Sequence, residues 1–394
     1  MKTQLVIFGI TGDLAGRKLL PALDSIIKTG NYDDLSIIGV SRREVSVNDI
    51  VGEYPTLTPR TDLFTMNLAD AGDYTKLKAF LEAQETDQTL FYLSVPPGAA
   101  ADIVDFLGEA GLNSARYKVL FEKPFGYDLA SAEEFIARTG RYFAEDQIYR
   151  IDHYMAKEIA AEVLRVRRDA ENHHHTWGNN SIKRVSVVAT EKIGIEGRAE
   201  FYQQTGALRD FVQGHLMQLL SLVLIDKPGT RSLPEERLAA LELIQPADPR
   251  KAIRAQYEGY SNEVGQPNTT VETFVGLELE SRDPSWQGVT LQLVTGKSLS
   301  EKRSYIEIEY LDGMKDVFEE GKIVLENGRT LDAYERLLLA AIASEKDIFT
   351  TSSEVLRSWQ IVAPVQKAWS MDDSIDLYRP GSRITLKNSI EIDA

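Results

Sequence analysis

Residues 146–158 read DQIYRIDHYMAKE and crowd titratable groups together, among them Asp152, His153, Tyr154 and Lys157. Three of the five histidines are consecutive, His173 to His175, so His153 is one of two that stand alone. The other is His215, in DFVQGHLMQ. If residues 152–170 form a helix, His153 and Lys157 stand at i and i+4 on one face, where two cationic donors can grip one anion. An ordinary charged surface helix has the same spacing. His215 shares an apolar helical pattern with Phe211, Leu219 and Leu222, which suits a hydrogen-bonded core histidine as well as a catalytic one. Adjacent histidines diverge in direction, and no carboxylate spacing completes a metal site around His173 to His175, so RRDAENHHHTWGNN reads as a loop without a metal.

A second group stands at the start of the chain. GITGDLA places Gly9, Gly12 and Ala15 at three-residue intervals. Glycines there either let the backbone approach a pyrophosphate lying on the following helix N-terminus or serve as a packing turn. VSRRE puts Ser41, Arg42 and Arg43 near the position where an acidic residue would hold a free ribose hydroxyl, and arginine there suits a 2′-phosphate. A solvated arginine pair is the plainer alternative, and Glu44 leaves room for NAD as well as NADP. EKPFG (122–126) follows the strand pattern YKVLF, and Pro124 forces Lys123 out of helical conformation and permits a cis bond.

The elements that must carry these residues change character near residue 150. Before it, QLVIFG, LSIIGVS, TLFYLSV and YKVLFEK alternate with helical patterns from Asp13 to Gly30 and around 73–85, 98–110 and 128–144. That alternation predicts an α/β, Rossmann-type doubly wound parallel sheet. After it come helices at about 152–170, 206–226, 331–346 and 354–369, and strands at IKRVSVVATE, TFVGLELE, VTLQLVTG and SYIEIEYLDG. Strands following strands predict an α+β domain with a mostly antiparallel sheet. The expected domains are therefore 1–150, built on the doubly wound parallel sheet, and 151–394, the α+β domain.

Composition bounds the partners. With 394 residues, 43% of them hydrophobic, the chain can build a sizeable core. A net charge of −16 argues against nucleic acid or an anionic membrane as general partners. The absence of cysteine excludes disulfides, thiolate metal sites and a cysteine nucleophile. No apolar run has transmembrane length, and the N-terminus has no signal-peptide layout, so cytoplasm is the expectation.

Taken in order, GITGDLA, SVPPG (94–98), EKPFG, RIDHY followed by KE, EGR (196–198), ALRDFVQGHLMQ (207–218), TGKSLSEKR (295–303) and DAYERLLL (332–339) resemble the glucose-6-phosphate dehydrogenase family over nearly the whole chain. The resemblance implies oxidation of glucose 6-phosphate to 6-phosphogluconolactone with NADP, in the pentose phosphate pathway. It implies His215 as the base for the anomeric hydroxyl and Asp152 as the carboxylate that orients it. His153, Tyr154 and Lys157 would hold the 6-phosphate. Glu191 and Asp210 would accept from sugar hydroxyls, and Lys123 would bridge sugar and nicotinamide. Lys297 and Lys302, which alone read as a solvated charge run, would add positive charge near phosphate or sugar. The cofactor contacts fall on Gly9, Thr11, Gly12, Asp13, Leu14, Lys18, Ser41, Arg42 and Lys123. Asp210 could also cap its helix.

The chain departs from the family pattern at Ala156, where glycine is usual, at Gly214, where asparagine is usual, and at Gln203, where an aspartate is usual. Between SYIEIEYLDG and DAYERLLL it has about twenty residues where relatives carry further strands. No second, structural nucleotide is expected there, and a homodimer is left open. The alternatives are an NAD-preferring dehydrogenase of another hexose phosphate and a silent paralogue that only binds nucleotide or sugar phosphate.

Overall fold

The computed structural model describes residues 1–169, 177–226, 229–321, 323–324, 328–386 and 390–392. The loop reading of His173 to His175 lies outside the described residues. In chain order the strands are β1 (Thr3–Phe8), β2 (Leu35–Ser41), β3 (Thr61–Thr65), β4 (Gln88–Leu93), β5 (Tyr117–Phe121), β6 (Ile148–Ile151), β7 (Ile182–Thr190), β8 (Ala252–Tyr257), β9 (Phe274–Leu279), β10 (Thr290–Gly296), β11 (Arg303–Tyr310), β12 (Lys315–Glu319), β13 (Ile323–Val324), β14 (Thr330–Leu331), β15 (Phe349–Thr350), β16 (Asp376–Tyr378), β17 (Ile384–Leu386) and β18 (Ile390–Ile392).

The contacts divide the chain into two compact units, each discontinuous. Unit 1 is Met1–Gly126, Glu133–Ala156 and Ile323–Ser352; unit 2 is Tyr127–Ala132, Lys157–Lys322 and Ser353–Ala394. The sequence pattern put one boundary at residue 150, but β6 and the turn after it stay with unit 1, and a later segment returns to it. Arg150, fully buried, shows why: its guanidinium donates to Glu145 Oε1 at 2.8 Å and to Ser352 Oγ at 2.7 Å.

In unit 1 the sheet order is β15-β6-β5-β4-β1-β2-β3. All neighbours are parallel except β15, which pairs antiparallel with β6. TQLVIF and QTLFYL are buried at every position, the unbroken apolar signature of parallel strands covered on both faces. The order reverses between β1 and β4, and ligands in such sheets bind outside the carboxyl ends at that switch point.

In unit 2 the order is β12-β11-β7-β10-β9-β8-β16, antiparallel apart from the β7–β10 and β8–β16 pairs. RSYIEIEY in β11 alternates buried and half-buried positions, as one covered and one wetter face require. Tyr202, Tyr257, Tyr260, Phe274, Leu299 and Tyr378 belong to one core cluster of this unit. No helix of the described residues is long and apolar enough to cross a membrane.

Candidate active site

One level of the unit 1 sheet aligns the cofactor and substrate loops. Phe64, Val40, Phe8, Leu93, Phe121 and Arg150 are register partners in turn across six strands. The next residues, Ser41, Gly9, Ser94 and Glu122, therefore form the carboxyl rim, with Lys123 and Asp152 just beyond. Gly9 has φ 82°, and a Cβ there would lie 2.2 Å from the Ser94 carbonyl oxygen, so only glycine allows the two loops to approach at the switch point. Gly12 N–H donates to Gly9 O at 2.9 Å and closes the turn. Thr11 and Lys18 are exposed, while Leu14 is half-buried and helical. The exposed Asp13 carboxylate is taken by Arg17 at 2.7 Å.

Ser41 is buried, and its hydroxyl is committed to the turn, donating to Arg43 O at 2.7 Å and accepting Arg43 N–H at 3.1 Å. Arg42 and Arg43 are exposed beside it. Lys18 and Arg42 have no carboxylate partner among the described residues, although the chain as a whole is acidic. Unpaired cations flanking a glycine turn at a switch point fit a polyanionic dinucleotide.

The substrate end of the rim corrects the helix expected from residue 152. After β6 the chain turns instead: Asp152 Oδ1 accepts Tyr154 N–H at 3.0 Å, and Met155 N–H and Ala156 N–H bond back to the carbonyls of Asp152 and His153. A side-chain acceptor two residues back competes with helical bonding. The helix begins only at Glu158, and Lys157 is its extended cap, φ −80° and ψ 163°. His153 and Lys157 therefore do not share a helix face. His153 stacks on Tyr334, ring centroids 6.4 Å apart and 14° between planes, and lies 5.0 Å from the buried Tyr154 ring.

Three further residues, Tyr92, Glu122 and Tyr334, lie in stretches the sequence singled out but were given no role there. The buried Tyr92 hydroxyl donates to Glu122 Oε1. Burial pushes the Glu122 carboxyl up to about 7, against the pull of Tyr92 and Lys123, with Asp152 adding to the rise. Burial raises the Tyr334 phenol too, with Glu122, Asp332 and Asp152 adding to it. The Lys123–Pro124 bond is cis.

In unit 2 the helical stretch around His215 is longer and less regular than 206–226. It begins at Ala199, breaks at Gly206, runs as a π-helix over Leu208–Leu216 and continues as α-helix over Met217–Leu224. Gly206 has φ 60° and ψ 178°. Asp210 lies in the first turn of the π-helix rather than capping it; the N-terminal Leu208 N–H is met instead by Glu272 Oε1 at 2.9 Å. His215 is 1% exposed, with the Phe211 ring edge-on at 5.6 Å. Gln203 braces the preceding helix, donating to Tyr260 Oη at 2.8 Å and accepting from Thr269 Oγ1 at 3.1 Å. Arg209 Nε and Gln366 Nε2 both donate to Tyr127 O, tying 127–132 into this unit.

The lysines separate into two groups. Gly296 pairs with Thr190 in the β10–β7 register, which brings the following residues level, and Lys297 Nζ donates to Glu191 Oε2. That ammonium also lies 5.2 Å from the Tyr202 ring centroid and 5.9 Å from that of Phe211, a cation held by a carboxylate and two aromatic rings. Burial, then Asp210 and Glu272, keep Tyr202 protonated far beyond the usual phenol range. Lys157 instead pairs with Glu320 Oε1 at 2.9 Å, and Lys302 acts on the same carboxylate. Burial works against ionisation of Glu320, but Lys157, Ser304 and Lys302 together outweigh it and hold the carboxyl below its ordinary value.

A doubly wound sheet with a glycine turn and arginines at its switch point, followed by an α+β unit bearing a buried histidine and paired lysines, defines the class of two-unit nicotinamide-dependent oxidoreductases. Residues 6–161 match the NAD binding domain of glucose-6-phosphate dehydrogenase, and residues 164–331 and 322–389 match its C-terminal domain. The chain belongs to the glucose-6-phosphate dehydrogenase family. It is 30% identical over 456 residues to glucose-6-phosphate 1-dehydrogenase of Chlamydia muridarum, covering 93% of this chain and 90% of the relative. The corresponding figures for the Gluconobacter oxydans enzyme are 31%, 96% and 93%. A solved glucose-6-phosphate dehydrogenase in complex with its substrate glucose-6-phosphate is 25% identical with a TM-score of 0.87, covering 96% of this chain and 94% of that one.

Proposed function

We propose that this chain oxidises glucose 6-phosphate to 6-phosphogluconolactone with NADP as hydride acceptor, as a cytoplasmic enzyme of the pentose phosphate pathway. The observation that carries the reading is family membership through both halves of the chain together with the rim of unit 1, where the glycine turn, Arg42, Lys123 and Asp152 stand on loops leaving one edge of the sheet. The nicotinamide, when bound, supplies the acceptor for the hydride leaving the anomeric carbon. His215 takes the proton of the anomeric hydroxyl onto its imidazole as the carbonyl of the lactone forms. Asp152 is the carboxylate assigned to steady the imidazolium, the arrangement that lets a histidine act as base and hold its proton. Glu191 and Asp210 accept from sugar hydroxyls, and Lys297, paired with Glu191, holds that carboxylate in place.

His153, Tyr154 and Lys157 are the assigned 6-phosphate ligands, Lys297 and Lys302 add positive charge near phosphate or sugar, and Lys123 is assigned to the sugar and nicotinamide together. Gly9, Thr11, Gly12, Asp13, Leu14 and Lys18 are assigned to the pyrophosphate turn, and Ser41 and Arg42 to the 2′-phosphate. Given the Asp13 ion pair and the turn bonds of Ser41, the unpaired side chains of Arg42 and Lys18 carry most of the electrostatic part. Purified protein with glucose 6-phosphate and either NADP or NAD, followed at the absorbance of reduced nicotinamide, tests the reading. No turnover with either cofactor across a panel of hexose phosphates sinks it.

A further inference from the structure

We propose that Glu320 is an internal occupant of the lysine site that the 6-phosphate needs, so that substrate binding exchanges one anion for another and Glu320 sets the affinity for phosphorylated sugar. The inference rests on Lys157 being a phosphate ligand, as read above. Three observations carry it. Lys157 Nζ meets Glu320 Oε1 at 2.9 Å, with side chains 15% and 36% exposed. Lys302 and the Ser304 hydroxyl act on the same carboxylate. Its backbone is fixed as well: Glu320 N–H donates to Ser304 O at 2.8 Å. A Cβ on Gly321 would fall 2.0 Å from Glu158 Oε2, so the strand end passes directly against the first residue of the helix that Lys157 caps.

The carboxylate thus sits on the Lys157 ammonium where a phosphate oxygen would sit, within the field of Lys302. A phosphate brings up to two charges and three acceptor oxygens and outcompetes a single carboxylate for the same cations. Glu320 is exposed enough to turn outward, where hydration replaces most of what it loses. The neighbouring Glu319 is paired with Arg303 instead, so it does not compete for Lys157. An unphosphorylated sugar does not need the lysine and leaves the pair intact. Glu320 thereby lowers the enzyme's preference for phosphorylated over neutral sugar.

The test compares Glu320→Gln with the unaltered protein in two assays. In the first, KM for glucose 6-phosphate falls about three- to tenfold, the effect of removing a partly exposed ion-pair competitor, while KM for glucose does not move. In the second, calorimetric titration with inorganic phosphate shows its Kd falling in step. Glu320→Asp, with a shorter reach, moves both in the same direction by less and serves if the glutamine variant folds poorly. If KM for glucose 6-phosphate rises and phosphate binds more weakly, Glu320 positions Lys157 rather than occupying its site, and the inference is overturned; unchanged values overturn it equally. Absence of any turnover in the unaltered protein defeats the functional reading alone, because the phosphate titration still decides what Glu320 does.

Discussion

Gly206→Ala strikes the break from which the His215 helix starts. At φ 60° and ψ 178° Gly206 lies in a region open essentially to glycine, and placing a residue with a Cβ there costs about 1–3 kcal/mol. The new Cβ falls 2.5 Å from Glu272 Oε1, the oxygen that accepts Leu208 N–H. Glu272 is buried, so it can yield only by giving up that bond, worth about 1.5–3 kcal/mol for a charged acceptor. The sum is about 2.5–6 kcal/mol, on the order of 10 °C in Tm for a unit of this size. Calorimetric melting measures it, and kcat at 25 °C reports the helix that carries Asp210 and His215. Because the clash and the lost bond share one side chain, Gly206→Ala with Glu272→Ala loses less than the two single variants added. A Gly206→Ala protein within about 1 kcal/mol of the original and with unchanged kcat refutes the reasoning.

His215→Asn keeps sugar binding and lowers kcat by about two to four orders of magnitude, the range for loss of a general base; near-normal turnover removes His215 from the mechanism. Arg42→Ala weakens NADP by about ten- to 150-fold, from about 1.5–3 kcal/mol for a charged hydrogen bond, and spares NAD; equal losses for both place Arg42 elsewhere. Glu122, with its carboxyl raised to about 7, keeps a proton in the folded chain that the unfolded chain releases near its ordinary value. Its contribution to stability is therefore full below about pH 4.5 and lost as pH rises through about 7. Glu122→Gln flattens that part of the profile in urea titrations at stepped pH, and parallel profiles for the two proteins count against it.

The sheet of unit 1 was legible because parallel strands covered on both faces write unbroken apolar runs such as QLVIFG and TLFYLSV. β3, β6 and β15 were not, since runs of two to five residues carry no clear period. Polar residues at helical spacing hid the turn at Asp152, which depends on one carboxylate reaching Tyr154 N–H. The helices Ala199–Ala207 and Leu233–Leu243 and the strand β8 also went unread. The motifs gave the family residues, but not what they touch. Glu320 on Lys157, Tyr334 on His153 and Tyr92 on Glu122 join segments far apart in sequence, and only folding brings them together.

The return of Ile323–Ser352 to unit 1 bears on how the protein is made. A ribosome releases the first six strands of the dinucleotide-binding sheet long before β15 and Ser352, so β6 waits with an open edge and Arg150 without its full set of acceptors. Nascent chains at that stage expose a strand edge and a partly paired guanidinium, the kind of intermediate that holdase chaperones shield. Expressed alone, residues 1–150 would remain in that state.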